Sequence, residues 1–398
     1  MTKLSVVIPA YNEEKAIEEI SRRVLDVKDA LNQVGVDQLE LIVVDDGSRD
    51  RTAEIASGID GVRLIKHARN RGYGGALKTG FSQASGDLIG FLDADGTYPP
   101  EYFPQLCVKA LNGSDLVIGS RMAGAESRMP LTRRLGNVFF ATLLTIIGRQ
   151  HVSDSASGMR VFRREILERI YPLPDGLNLT PVMSTRAIHE GIRMDEVPIP
   201  YSERLGRSKL SVVRDGRIFL ESMIWTVLTY NPVRILGLIG LGGMLVAALV
   251  GLGLVVARLS GVTTLGAGSV TALYWALISG VAGISIFALG VTFNYLVSLF
   301  YKQPIRQGLF GKPIFDPPLE THFGWLGLLG LLAGLAMGIA SLVLGLNGWD
   351  VTRLWLYMLG SAMLILVGVQ LIIYWVLMHV LKELSQRDEL ARKDLDGV

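Results

Sequence analysis

Asp93 and Asp95 close an apolar run, Leu88 to Leu92, with the length and composition of a buried parallel strand. Residues two apart on an extended chain point the same way, so both carboxylates can face one ligand. Two such charges at one point repel unless a cation lies between them. A hard divalent ion, Mg²⁺ or Mn²⁺, that also bridges substrate phosphates would relieve that repulsion. A solvated turn is the other reading, because Asp and Gly96 both favour turns. A second acidic strand end follows Leu39 to Val44, in Asp45-Asp46-Gly47-Ser48. A basic segment carries Arg121, Arg128, Arg133 and Arg134 beside Leu135, Val138, Phe139 and Phe140. Guanidinium forks suit phosphate, and apolar neighbours suit a lipid surface. A solvated basic face would have the same composition.

These groups need a scaffold that brings strand ends together. Strands are expected at Leu4–Ile8, Leu39–Val44, Val62–Ile65, Leu88–Leu92, Leu116–Ser120 and Met159–Phe162. The apolar residues Ile17, Ile20, Val24, Val27 and Leu31 recur at helical spacing, and Asn12 is a candidate N-cap for that helix. A further helix is expected from about Arg51 to Ile59. Alternating strands and helices argue for a doubly wound, mostly parallel sheet, in which ligands bind at the carboxyl ends of the strands. Between the third and fourth strands lies Asn70 to Thr79, rich in glycine. Leu77 stands where a P-loop needs glycine before Lys78-Thr79, so that motif is absent. The segment either presents backbone N–H groups to an anion or lets another backbone come close.

The 398 residues are 49% hydrophobic, with a mean hydropathy of +0.38. That excess lies beyond about Pro232, in four apolar blocks near Val233–Val256, Ala272–Phe300, Leu326–Leu346 and Leu354–Val380, each long enough to span a bilayer. Glycines in the first and third blocks would allow close helix packing. Residues 209–231 mix Arg214 and Arg217 with Val213, Ile218, Phe219 and Trp225, as in a helix lying on a membrane surface or one packed on a soluble domain. A formal net charge of +2 gives no reason to expect nucleic acid. The single cysteine, Cys107, excludes an intramolecular disulfide, and the histidines are scattered. The N-terminus enters a strand without a signal-peptide pattern, so a cytoplasmic first domain is expected. The expected divisions are a soluble domain at 1–208, a juxtamembrane helix at 209–231, four spans within 232–381 and a tail at 382–398.

Taken together, Val7 to Glu13, Val44-Asp45-Asp46-Gly47-Ser48, Asn70-Arg71-Gly72, Asp93-Ala94-Asp95 and Gly119-Ser120-Arg121 resemble family 2 glycosyltransferases of the GT-A fold. Asp154 to Gly158, Glu196 to Ile199, Arg204 and Ser208-Lys209-Leu210 resemble the branch with dolichyl-phosphate mannose synthases and bacterial polyprenyl-phosphate glycosyltransferases. The resemblance covers residues 1 to about 232. It implies a GDP- or UDP-linked sugar as donor, inversion at the anomeric carbon, and a polyprenyl phosphate such as undecaprenyl or dolichyl phosphate as acceptor. It implies Asp45 at the nucleotide base, with Pro9, Tyr11, Glu13, Asp46, Asn70, Gly72 and Lys78 around the donor. Asp93 and Asp95 would hold Mg²⁺ or Mn²⁺ and the diphosphate. Arg121, with Arg133 or Arg134 and with Arg204, Ser208 and Lys209, would receive the lipid phosphate. Thr97 departs from the branch, which often has Gln there as a further metal ligand. The Gln-x-x-Arg-Trp motif of processive synthases is absent.

Two alternatives carry different chemistry. Transfer to a saccharide or glycolipid hydroxyl would need a carboxylate base, with Asp154 the candidate. A non-catalytic nucleotide-binding scaffold or transporter is the other class; the spans contain few of the ionisable residues that transport sites usually require. Self-association is left open by the sequence.

Loop charges generate a topology. Arg204, Arg207, Lys209, Arg214, Arg217 and Arg234 precede or begin the first span, Lys302, Arg306 and Lys312 separate spans two and three, and Lys382, Arg387, Arg392 and Lys393 follow the fourth. The other two loops offer Arg258 and Arg353. The positive-inside rule then places both termini, the central loop and the first domain on the cytoplasmic side of a cytoplasmic membrane. Cysteines introduced at Ser260 or Asn347 should react with an impermeant thiol reagent from the outer side, and one at Gln307 only from within. The opposite labelling pattern would overturn this topology.

Overall fold

The computed structural model describes residues 1–122, 131–148, 152–201, 212–261, 266–300, 308–309, 319–349 and 351–396. The chain divides into two units, Met1–Val227 and Leu228–Val398. The first unit opens with β1 (Lys3–Ala10), α1 (Ile17–Asp26), α2 (Lys28–Gln33), β2 (Gln38–Asp45), α3 (Thr52–Ser57), β3 (Val62–Lys66), α4 (Tyr73–Gln83) and β4 (Leu88–Phe91). It continues through α5 (Phe103–Leu111), β5 (Leu116–Ser120), α6 (Leu131–Gly148), β6 (Arg160–Arg163), α7 (Leu167–Ile170), α8 (Leu179–His189), β7 (Met194–Pro198) and α9 (Val212–Tyr230).

Among the described residues the strands form one sheet in the order β3-β2-β1-β4-β6-β5-β7. All pairs are parallel except those of β6 with β4 and with β5. The mostly parallel α/β sheet is therefore present, with one strand reversed. The reversal has a consequence for the site. β6 starts at the edge where β4 and β5 end, with Arg160 registered against both Phe91 and Ile118. The segment before β6 therefore lies on the same edge as Asp93 and Arg121.

Strand side chains alternate between two apolar layers, as period two requires. Leu4, Val6 and Ile8 of β1 and Leu41 and Val43 of β2 enter one layer; Val7, Ile42 and Val44 enter the other. Burying such side chains stabilises the fold by roughly 1.5–3 kcal/mol each. β7 went unread in the sequence because Met194–Pro198 carries Asp195 and Glu196, and only Val197 of the strand is buried. Asn12 does not cap α1. Its φ is +53°, its side-chain oxygen accepts the Arg49 N–H at 2.8 Å, and the helix begins at Ile17. Asn tolerates the left-handed region, so this residue ties the ends of β1 and β2 together.

In the second unit α10 (Pro232–Leu259), α11 (Ala267–Phe300), α12 (Phe323–Leu346) and α13 (Val351–Asp396) provide four helices long and apolar enough to cross a membrane. They match the four expected blocks. α10 packs on α11, and α12 on α13, through glycines. A methyl group at Gly283 would lie 2.7 Å from the Gly240 carbonyl oxygen, and one at Gly368 would lie 2.5 Å from the Leu331 nitrogen. Ser285 of α11 donates to Gln370 of α13 at 2.6 Å. Leu249, Leu252, Leu332, Ile339, Leu366 and Ile373 are exposed, as lipid-facing residues would be. The expected tail at 382–398 is a continuation of α13 as far as Asp396.

The contact of α4 with β1 sets the depth of the glycine-rich segment. A methyl group at Gly80 would lie 2.2 Å from Val7 Cγ1 and 3.1 Å from its Cβ, so rotating the stiff Val7 side chain cannot clear it. Gly80→Ala should destabilise the first unit by about 1–3 kcal/mol, the usual cost of overpacking. A lowered thermal midpoint of the full chain in detergent checks this; an unchanged midpoint would mean that α4 can move off the sheet.

Candidate active site

The carboxyl ends of β1, β2, β4 and β5 gather around a cavity of about 460 Å³. Small-molecule sites commonly measure roughly 300–1,000 Å³. Pro9, Tyr11, Glu13, Asp46, Asn70, Gly72, Asp93, Asp95 and Arg121 all line it. Residues as distant in sequence as Pro9 and Arg121 thus meet because the parallel strands end on one edge. Asp45, Lys78 and Arg134 do not line the cavity. Arg134 is exposed on α6. Arg204, Ser208 and Lys209 lie outside the described residues, as does the Arg133 side chain.

Asp93 and Asp95 differ in their surroundings. The Tyr73 hydroxyl donates to Asp93 Oδ1 at 2.8 Å. Burial, and then the Asp93 charge, raise the Tyr73 pKa well above that of an ordinary phenol, so it remains a donor. A methyl group at Gly158 would lie 2.5 Å from Asp93 Oδ2, so only glycine lets this loop touch the carboxylate. Asp95 Oδ1 accepts the Thr97 N–H at 3.1 Å and its hydroxyl at 2.6 Å. Thr97 therefore orients a carboxylate where the resembling branch often has a further metal ligand. Among the described residues no three His, Cys, Asp or Glu side chains converge as a protein-only metal site. Two carboxylates at a strand end still suit a Mg²⁺-like ion, which is commonly held by one or two carboxylates plus phosphate oxygens and water.

Arg121 is engaged by Asp154. Nε donates to Oδ2 at 2.7 Å, Nη2 to Oδ1 at 2.8 Å, and the Arg121 N–H to Oδ2 at 3.0 Å. Asn137 of α6 donates to Oδ1 at 2.9 Å. The guanidinium carbon lies 5.6 Å from the Tyr98 ring centre and 5.4 Å from that of Tyr201, within cation–π range. Burial would raise the Asp154 carboxyl, but the Arg121 charge outweighs it and holds the group below the ordinary carboxylate value. Burial likewise works against the Arg121 cation, and Asp154 overcomes it to raise that pKa. Asp154 is wholly buried, with both oxygens accepting hydrogen bonds, and so is poorly suited to act as a general base.

The loop bearing Asp154 is held from below and from the side. Arg160, also fully buried, donates to the carbonyls of Ser155 and Ser157 at 2.7 and 3.2 Å and to Ser184 Oγ at 3.0 Å. Burial lowers its pKa to about 10. Glu196 of β7 accepts the backbone N–H groups of Ser153 and Asp154 at 2.7 and 3.2 Å. The Tyr98 hydroxyl accepts the Gly158 N–H at 2.7 Å. Tyr98, Asn137, Tyr201 and Asp215, which also line the cavity, were missed in the sequence. Only Tyr98 carried a signal, its nearness to the acidic pair.

The glycine-rich segment is a close approach. Gly72, at φ +91°, and Gly74 would place methyl groups 2.5 and 2.2 Å from the carbonyl oxygens of Asp175 and Pro174. The Gly75 N–H is taken by the Asp175 carbonyl at 3.1 Å, and Asp46 accepts those of Arg71 and Gly72 at 2.8 and 2.9 Å. These amides serve the fold instead of an anion. Lys78 pairs with Asp175 at 2.6 Å and donates to the Leu173 carbonyl at 2.9 Å, away from the cavity lining. In α9, Phe219 and Met223 are buried, and Phe219 meets the Phe140 ring at 6.0 Å. Ile218 and Trp225 are exposed. The helix is thus packed on the first unit along one face and apolar on another.

Residues 5–171 match the glycosyl transferase family 2 domain, and residues 232–392 match a domain of unknown function, DUF8752. A dolichyl-phosphate hexose transferase from Haloferax volcanii is 34% identical over 221 residues, covering 56% of this chain and 92% of that protein. Glucosyl-3-phosphoglycerate synthase from Mycobacterium tuberculosis, solved with Mn²⁺, UDP and phosphoglyceric acid, is similar at 24% identity and a TM-score of 0.47, over 57% of this chain and 78% of that one. TarS from S. aureus, solved with UDP-GlcNAc, gives 18% identity and 0.43 over 75% and 86%.

The Arg121–Asp154 pair makes a distinguishable prediction. Asp154→Asn leaves a desolvated guanidinium without its counter-charge, which typically costs about 3–5 kcal/mol. Thermal stability and turnover should fall together. A variant with wild-type stability and no turnover would instead mark Asp154 as a base. The sign with pH follows from the depressed carboxyl. The pair stabilises the fold above the ordinary carboxylate pKa, roughly 4, and that stabilisation is lost as pH falls through the lower folded value.

Proposed function

The chain belongs to glycosyl transferase family 2, and on that footing we propose that it moves a hexose from a nucleotide diphosphate sugar to a polyprenyl phosphate at a membrane. The observation that carries this reading is the placement of Asp93, Asp95 and Arg121 on one cavity, with carboxylates suited to a metal–diphosphate and a guanidinium suited to a second phosphate. The Haloferax relative, a dolichyl-phosphate hexose transferase, supports the acceptor class. The four apolar helices support a membrane location.

The acceptor phosphate oxygen attacks the anomeric carbon, and the bond from that carbon to the diphosphate breaks. A single displacement of this kind inverts the anomeric centre. A phosphate monoester has a second pKa near 6 and is largely ionised at neutral pH, so no strong base is required. That agrees with a site whose Asp154 is consumed by an ion pair, and it disfavours transfer to a hydroxyl. Arg121 positions the acceptor instead of activating it. Asp154 fixes one edge of the fork, and Tyr98 and Tyr201 flank its carbon. Asp93 and Asp95 would hold a divalent cation, which would offset charge on the departing diphosphate. Tyr73 and Thr97 fix the two carboxylates by donating to them. Asn70, Gly72 and Asp46 form the wall assigned to the nucleotide. The donor on this reading is a GDP- or UDP-linked sugar.

Membranes containing the chain should transfer label from a nucleotide sugar to undecaprenyl or dolichyl phosphate, and not to the corresponding free alcohol. Asp93→Asn and Asp95→Asn should each lower turnover by about a hundredfold or more, because metal stabilisation of the leaving group contributes several kcal/mol. EDTA should abolish turnover, and Mg²⁺ or Mn²⁺ should restore it. Arg121→Lys should raise the acceptor KM more than the donor KM, because lysine keeps the charge and loses the fork. Full activity in chelator would remove the metal, and equal transfer to the free alcohol would remove the phosphate acceptor.

A further inference from the structure

His67 follows β3 and lies outside every motif by which the site was found. Its ring joins three elements. Nδ1 lies 2.7 Å from Asp46 Oδ1, and Nε2 lies 2.9 Å from Thr79 Oγ1 of α4. Its backbone N–H donates to the Asp45 carbonyl at 2.9 Å, which continues the pairing of β2 with β3. The His67 and Asp46 side chains are only 6% and 4% exposed, so water does not compete freely for these contacts.

Asp46 is the hub of this arrangement. Its Oδ1 accepts the Arg71 N–H at 2.8 Å and its Oδ2 the Gly72 N–H at 2.9 Å. Acting as an acceptor throughout, the carboxylate takes its third hydrogen bond from ring Nδ1–H. With Nδ1–H given to Asp46, the Thr79 hydroxyl is the donor to Nε2, and its oxygen also lies 3.1 Å from the Gly75 carbonyl and 3.5 Å from Arg71 Nη1. Asp46, Asn70 and Gly72 line the cavity, and His67 does not. The histidine therefore reaches the site only through the carboxylate it holds.

We propose that His67 is a positioning residue for the donor half of the site: it fixes the Asp46 carboxylate in the rotamer that clamps the 70–72 turn, and locks that turn to α4 through Thr79. This rests on reading the Asp46 wall as the nucleotide-sugar side. A carboxylate with one fewer donor is freer to rotate, and the turn it holds loses two backbone anchors when it does. The acceptor side, held by Arg121, Asp154 and Glu196, shares none of these hydrogen bonds.

Three substitutions in the full-length chain separate the contacts. His67→Ala removes both. His67→Asn retains an N–H near the position of Nδ1 and can still donate to Asp46. His67→Gln places its amide nearer the position of Nε2 and retains only the Thr79 contact. Hydrogen exchange of the Arg71 and Gly72 amides should accelerate in His67→Ala and His67→Gln, without ligand, and stay near wild type in His67→Asn. The donor KM should rise about tenfold or more in the first two variants, equivalent to about 1.4 kcal/mol. The acceptor KM should change little, and His67→Asn should recover most of the loss. Unchanged exchange in His67→Ala overturns the proposal. So do equal effects on donor and acceptor, or rescue by Gln in place of Asn, because a merely structural histidine would give those. Calorimetry of the wild-type chain with UDP- and GDP-sugars tests the donor reading separately. If neither binds, that reading fails, while the exchange data still report on the clamp.

Discussion

The buried pair of Arg121 and Asp154 is the constraint on which the site depends. A guanidinium and a carboxylate leave water together only if each satisfies the other, and here two side-chain hydrogen bonds and a backbone one do so. The pair ties the end of β5 to the loop before β6. That loop then presents Gly158 to Asp93 and Asp154 to Asn137 of α6, so the acidic and basic sides of the cavity are set by one segment. Arg160 and Glu196 hold the same segment through its backbone, which makes its position over-determined. Such redundancy suits a site that must align reacting groups without moving.

The carboxylates of the site divide into two kinds. Asp46 and Asp154 spend their acceptor capacity on the protein, one on the 70–72 turn and His67, the other on Arg121. Asp93 and Asp95 are oriented by hydroxyl donors, Tyr73 and Thr97, and line the cavity. Hydroxyls orient a carboxylate without cancelling its charge. The difference separates carboxylates that shape the site from carboxylates that can serve a cation.

The second unit follows different physics. Lipid offers little hydrophobic drive for helices to associate, so close backbone packing and polar contacts matter more. Gly283 on α11 and Gly368 on α13 permit that approach within each hairpin, and Ser285 with Gln370 links the hairpins by a hydrogen bond. Exposed leucines and isoleucines on the outer faces would be a liability in water and are the expected surface in a bilayer.

The sequence by itself determined the strand ends, the paired carboxylates and the four apolar helices, because these are local signals: apolar runs, period two, and length. It also carried family 2 membership, through short motifs. Tertiary structure decided what those groups do to one another. Asp45 stands in a motif and Lys78 in the glycine-rich segment, yet both lie outside the cavity lining, whereas Asn137, Tyr201 and Asp215 line it with no local mark. The reversal of β6 brings the 154–158 loop to the carboxyl edge, and no pattern in Arg160–Arg163 encodes that direction. Asp154 could be read as a base until its distance to Arg121 was known. Pairing, burial and the pKa shifts they cause depend on which side chains meet, and contacts between residues far apart in the chain are made only when it folds.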